Sequence, residues 1–483
     1  MVTMIHPFGS WLPDNPAWTD PHLREARNVL PATVGYQPFP GLRATTNALA
    51  GRVIGAAATR DKDGVVRVYA GNATDLYELT STTAWTARSG ATYTASDSNR
   101  WRFAPYKDRM IATNYSNAIQ TTTMSAGANF ANLGGSPPNA RFVSSFGEFL
   151  VCANTNASAM QVRWSSVSDP TVWTVGTNQA DQITFPDGGL IRGLGYADVL
   201  YVFQEQAIRR IVYVGPPTIM NIDVIERGRG PVTANSIAQL GGLFFYLSED
   251  GFYVFDGTSS RAIGAGKVDR WFAADHAPEY YDRMSAAVDP ENQIVAWAYA
   301  SRQSPTGQPD SVIVYNWTAD RWAYARQSAH LIYSVLGKGQ TLEGLDAIYT
   351  SGIDVMTISL DDPTWLGGSI SLAGFTTGNA MGLFTGSNLE AVIEPSDLTA
   401  GQRLLVREAV PNADTTAATI AVGARERVGD AYTFRAAVSQ QASGRVPVRA
   451  SGRQFRPRVV IPAGSSWTQA FGVTLTGEPA GQR

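Results

Sequence analysis

The feature that most constrains this chain is a strand–turn–strand unit that recurs along its first two thirds. Units begin near Gly51, Asn99, Asn139, Gly188, Thr233 and Arg283, a spacing of about 40–50 residues, which is the period of a β-propeller blade. The fifth unit is the clearest. In Gly241–Phe272, two short apolar runs, Leu243–Leu247 and Phe252–Phe255, flank Ser248-Glu249-Asp250-Gly251, and Asp256-Gly257 opens another turn. Asp-Gly between aromatic and β-branched runs is a strong hairpin signal, so the segment predicts a three-stranded meander. It contains Ile263 and closes on Trp271-Phe272, an aromatic pair suited to packing between sheets. One meander cannot bury both faces alone; repetition supplies its neighbours. The expected fold is all-β: a propeller of about six or seven blades, with a sandwich or stacked meanders as the alternative.

Composition agrees with short strands and many turns. In 483 residues there are 46 Gly and 26 Pro, while 44% apolar residues suffice for a large core. The single cysteine, Cys152, lies in the apolar run Phe149–Cys152, which predicts a buried, reduced thiol and excludes an internal disulfide. The opening MVTMIHPFGSWLPD has neither a basic n-region nor an apolar h-region, so a signal peptide is not expected. No apolar run is long enough to span a bilayer as a helix. The sequons at Asn72, Asn114, Asn156 and Asn316 read as strand and turn residues.

Four regions follow from the pattern. Residues 1–50 are dense in Pro, Trp and Asn without periodicity, and predict an extended N-terminal arm lying on protein. Only Leu23–Val29 could form a helical turn. Deleting this arm is expected to spare folding but impair assembly. Residues 51–340 are the propeller, 341–366 a linker or incomplete blade, and 367–483 a separate C-terminal β domain. Charge is uneven across the last two regions. Gly339–Gln402 carries eight acids and no Lys or Arg, whereas Arg403–Arg483 carries eleven Arg, five acids and no Lys. One reading is two solvated faces of opposite sign; the other, since arginine suits planar, partly buried ion pairs, is pairing of the two segments across a subunit interface. The candidate subunit or channel contacts are Glu343, Asp346, Asp354, Asp361, Asp362, Arg449, Arg453, Arg456 and Arg458.

No catalytic set assembles from the sequence. There is no Gly-x-Ser-x-Gly elbow, phosphate loop or paired-cysteine zinc spacing, and His6, His22, His276 and His330 are far apart. Arg227-Gly228-Arg229-Gly230 reads as a basic turn. Ser248-Glu249-Asp250-Gly251 is similar to the aspartate box of sialidases but lacks one residue before the glycine and the following Thr and Trp. Asp169, Asp250, Asp256 and Asp289 are expected at turns. No catalytic residue, cofactor or metal is therefore expected.

Three stretches together resemble the tail proteins of double-stranded DNA phages, especially the propeller-bearing hub or nozzle of short-tailed phages. One is the arm, with Pro13-Asp14, Pro21, Ala26–Pro31, Gly35-Tyr36 and Pro38–Gly41. The second runs from Arg163-Trp164-Ser165, Asp169-Pro170 and Trp173 through Leu200–Phe203 and Ile208 to the fifth unit. The third spans Leu360–Pro363, Gly367-Gly368, Arg449–Arg453, Trp467 and Gly472-Val473. The resemblance implies a non-enzymatic virion subunit, assembled in the host cytoplasm, forming a homo-oligomeric ring, usually sixfold. Such a ring continues the DNA channel below the portal and adaptor, retains packaged DNA and lets it pass at ejection. The long Arg-rich C-terminal region departs from the simplest nozzle pattern. Duplex DNA would pass without sequence-specific binding, because each neutralised phosphate adds affinity that opposes movement. Acids of Glu343–Asp397 are then expected to face the lumen or a neighbour's arginines. The alternatives are a receptor-binding or glycan-degrading tailspike, which needs two convergent carboxylates in a pocket, and a propeller scaffold unrelated to phage.

Overall fold

A computed structural model describes residues 1–16, 21–337 and 370–481. The chain is all-β, and its main body is a β-propeller. Six four-stranded antiparallel sheets stand as separate blades. Their innermost strands are Gly55–Arg60, Arg102–Tyr106, Ala140–Phe146, Ile191–Tyr196, Ala238–Leu240 and Leu331–Leu336. Between the fifth and the last lies a further four-stranded meander, Ser285–Asp289, Ile294–Tyr299, Ser311–Asn316 and Arg321–Ala325.

The core is divided among the interfaces between blades. Ile54, Tyr69, Leu76, Trp101, Met110 and Phe130 join the first two blades; Tyr201, Phe203, Phe244, Tyr246 and Phe255 join the fourth and fifth. Each sheet is thus buried on both faces. That is why Ile294–Tyr299 and Ser311–Asn316 are buried at every position and do not alternate with polar residues. Close packing also selects glycine. The Trp101 ring lies where a Cβ on Gly71 would stand, and its indole N–H donates to the Asn72 carbonyl at 2.8 Å.

The turns behave as the sequence predicts. The Asp256 carboxylate accepts the Thr258 and Ser259 N–H groups at 2.9 and 2.8 Å, and the Asn72 and Asn316 side chains cap their own turns in the same way. Asp169 and Asp289 do likewise through Thr171 and Glu291. Trp271 and Phe272 lie on a short α-helix, Asp269–Asp275. Phe272 packs edge-on against Phe252 at 4.9 Å, and Trp271 packs against Trp11 and Tyr324 at 4.7 Å each.

The regional boundaries differ from the expectation in an informative way. The last blade is completed by two later strands, Ile370–Phe375 and Ala380–Leu383, and by one early strand, Arg43–Ala48. The propeller therefore extends on both sides of residues 51–340, and its ends are sealed by an N-terminal strand. Residues 341–366 lie outside the described residues. The N-terminal segment is extended but is not an appendage. Leu23–Arg27, the one place where a helical turn was expected, is a strand. It pairs in parallel with Arg321–Ala325 of the meander and antiparallel with Ala391–Pro395 of the C-terminal region. It thereby fuses the propeller to a 15-stranded sheet. In that sheet the long strands Leu398–Ala413, Val446–Ile461 and Ala470–Pro479 pair side by side, and Val2–Pro7 forms an edge on the last. Deleting residues 1–50 consequently removes structure, contrary to the expectation that folding is spared.

Asp269 gives this fold a pH signature. Its carboxylate sits where Gly251 and Gly264 leave room, and accepts the Phe252 N–H at 3.2 Å. Burial, aided by the charges of Asp14 and Asp250, pushes its pKa up from 3.8 to about 6 against that hydrogen bond. Between those values the folded chain holds a proton that the unfolded chain has released. Stability therefore falls as pH rises through the window and stays lowered above it. Asp269→Asn keeps an acceptor without the charge. We expect it to raise Tm at pH 7.5 and to make no difference near pH 3.5; equal Tm values at pH 7.5 would show that the carboxylate is solvated.

Candidate functional site

The loops leading into the innermost strands converge at one end of the propeller axis and enclose a cavity of about 290 Å³. Arg100 and Arg102, at the start of the second blade, line this cavity and also a second space of about 190 Å³ between the inner strands. Arg100 is buried and donates only to main-chain carbonyls: Ile54 at 3.1 Å, Met284 at 2.6 Å and Asp282 at 3.3 Å. Arg102 donates to the Asn235 side-chain oxygen, and Asn235 in turn donates to the Asp282 carbonyl at 2.9 Å. Side chains from the second blade therefore reach the loops before the fifth blade and the meander, and bridge the channel.

Charge around this mouth is unevenly paired. Asp97 is held between Arg52 at 2.7 Å and Arg283 at 2.8 Å. Burial alone would raise its pKa, but hydrogen bonds and charge from both arginines outweigh this and hold the carboxyl below its usual range. Arg192 pairs with Glu205 at 2.6 Å. Arg141 lies over the Tyr115 ring at 4.7 Å and donates to the Ser98 carbonyl. Burial, with the charges of Arg102 and Arg52, pushes the Arg100 pKa down to about 9, and burial pushes that of Arg102 down to about 10. Such a set can recognise an anion.

The acids predicted as contacts, Glu343, Asp346, Asp354, Asp361 and Asp362, lie outside the described residues. The predicted arginines divide. The two oppositely charged C-terminal segments do meet, but within one chain. Asp397, with a fully buried side chain, receives Arg425 and the Nε of Arg456 at 3.0 Å; Glu394 receives the Nε of Arg458 at 2.6 Å. Tyr432 packs against the guanidinium groups of Arg425 and Arg456 at 4.5 and 4.3 Å. Arg456 and Arg458, expected at a subunit or channel contact, thus find carboxylates within their own chain, and the Arg458 side chain stays 46% exposed. Arg453 is 56% exposed and 4.0 Å from Glu426, and Arg449 is exposed beside Val422 and Val438.

Sequence reasoning missed Arg100, Arg102, Arg141 and Asn235. The available signal was Arg100-Trp101-Arg102 at the start of a unit, which places charge on a strand that faces the axis. Cys152 is buried as expected, and burial pushes its thiol up to about 12, so it is not a nucleophile. Among the described residues no cluster of His, Cys, Asp and Glu could hold a metal ion, and no helix is long and apolar enough to cross a membrane.

No family model and no curated protein matches the chain. Among solved structures it is similar to the β-propeller domain of Cps50 (Swd1) from Myceliophteria thermophila. The identity is 8% and the TM-score 0.38, over 60% of this chain and 92% of that one. It is also similar to a chain of the Mitotic Checkpoint Complex, at 7% identity and a TM-score of 0.39, over 71% of this chain and 92% of that one.

Proposed function

We propose that the chain is a structural subunit of a phage tail, one copy of a ring of the nozzle or hub type, with sixfold symmetry as the family resemblance implies. The observation that carries this reading is mechanical. A single sheet runs from a propeller blade through Leu23–Arg27 into the C-terminal region, giving a body suited to a fixed place in an assembly. Two further features support it. Val2–Pro7 is paired on one side only within the described residues, and Ile5 there is 68% exposed, an edge another copy can cover. Arg449 and Arg453 offer cations to a neighbour.

In this reading the DNA path runs between copies and not through the propeller, whose axis is bridged by Arg100 and Arg102. The portal and adaptor and other tail proteins are the remaining partners, and the chain resides in the virion tail after assembly in the host cytoplasm. Mass measurement after gel filtration, together with projection images, tests this. The expected result is a ring with a central hole, or a monomer that forms one when portal and adaptor are added. A chain that stays solitary under all these conditions would overturn it, as would a stable trimer that turns over host polysaccharide.

A further inference from the structure

We propose that the mouth of the propeller channel binds a small phosphate-bearing molecule, held by the guanidinium groups of Arg100, Arg102 and Arg141. Such binding is independent of any role in a tail and follows first from the balance of charge. Of the groups lining the cavity, Asp97 is occupied by Arg52 and Arg283, and Arg192 by Glu205. The remaining charged groups are Arg100, Arg102, Arg141 and Asp282, three cations against one carboxylate, or 3 − 1 = +2. None of the three arginines has a carboxylate within ion-pair distance among the described residues; their partners are main-chain carbonyls, the Asn235 amide and the rings of Tyr115 and Phe142.

A second observation concerns Arg100, which lines the cavity. Arg100 is only 7% exposed, and its Nη2 is buried with no hydrogen-bond partner among the described residues. A buried guanidinium that lacks both a counter-ion and one hydrogen bond is costly in isolation. An oxyanion in the cavity supplies the missing counter-charge, because its oxygens match the planar fork of arginine. The surroundings can recognise more than a bare charge. Asn114 and Asn235 line the same space, and the volume of about 290 Å³ is close to the lower bound of about 300 Å³ for small-molecule pockets. Phosphate is favoured over a monocarboxylate because three separate cations converge from two blades, and a tetrahedral dianion presents oxygens in more than one plane.

The test uses the full chain and calorimetric titration with inorganic phosphate, pyrophosphate and glucose 6-phosphate, at ionic strength matched with sodium chloride. Saturable binding of at least one of the three is expected. Binding of inorganic phosphate or pyrophosphate places recognition in the anion, and a preference for glucose 6-phosphate adds the organic part. Arg102→Gln should weaken that binding about tenfold, as expected for one lost charge-assisted hydrogen bond. Arg141→Gln, at the start of the third blade's inner strand and less buried than Arg100, should do the same and guards against a variant that does not fold. Arg435→Gln, on a separate cavity, should leave it unchanged. Absence of saturable binding to all three ligands would overturn the proposal. So would equal affinity in wild type, Arg102→Gln and Arg141→Gln.

Discussion

Removal of Met1–Ala50 should yield a chain that no longer unfolds cooperatively. The deletion takes away Arg43–Ala48, the fourth strand of the last blade, and Leu23–Arg27, the strand between the propeller and the C-terminal sheet. It also takes away Phe8, Trp11, Leu23, Val29, Leu30, Tyr36 and Phe39, all buried. At about 1.5–3 kcal/mol for each buried large side chain, their summed contribution matches the whole net stability of about 5–15 kcal/mol of a typical domain. Arg321 fails with them. Its guanidinium donates to the carbonyls of Ala32 and Gly35 at 2.8 and 3.0 Å and to Phe8 at 2.8 Å, and the deletion removes all of these acceptors together with the Tyr36 ring beneath it. Urea unfolding followed by circular dichroism checks this. A truncated chain with a sharp transition and an unchanged m-value would mean that these strands are dispensable.

Asp397→Ala should cost about 3–5 kcal/mol, the range for breaking a buried ion pair by removing one partner. The side chain of Asp397 is fully buried and that of Arg425 is 9% exposed. Arg456 retains Glu394 at 3.6 Å, whereas Arg425 keeps only Gln454 at 2.7 Å and the Asp430 carbonyl at 3.2 Å. The loss therefore falls mainly on Arg425. A second variant separates pairing from packing: Asp397→Leu combined with Arg425→Met removes both charges and should recover much of the stability. A loss below about 1 kcal/mol in the alanine variant would place the pair among solvated surface bridges.

What was legible in the chain follows from the range of the interactions involved. Turn chemistry is local. Asp256, Asn72 and Asn316 bond to N–H groups two and three residues ahead, so the repeat and its turns could be read from sequence, and the unit starts near Asn99, Asn139, Gly188 and Thr233 fall just before observed blades. Trp271-Phe272 could be read as buried but not as helical, because seven residues are too few to show a period. The boundaries could not be read. Arg43–Ala48 pairs with Ala380–Leu383, and nothing in a polar strand such as RATTNA names a partner so distant. The charge asymmetry of the C-terminal segments was visible and its complementarity real. Which arginine meets which carboxylate within the chain depends on the register of Val446–Ile461, which composition does not encode. The arginines of the channel mouth were hidden for a related reason: Arg100 and Arg102 acquire meaning only once seven segments, spread from Asp97 to Asp282, are brought to one cavity.

The seam made by Arg43–Ala48 has a consequence for synthesis. During translation that strand emerges early, yet its mate, Ala380–Leu383, leaves the ribosome more than three hundred residues later. Blades in between can stack as they appear, but the ring stays an open arc with two raw sheet edges throughout that interval. The nascent chain is accordingly most exposed to misassociation shortly before Ala380–Leu383 emerges. Slowing elongation ahead of Ala380 would lengthen that hazard, whereas slowing it after Leu383 would not.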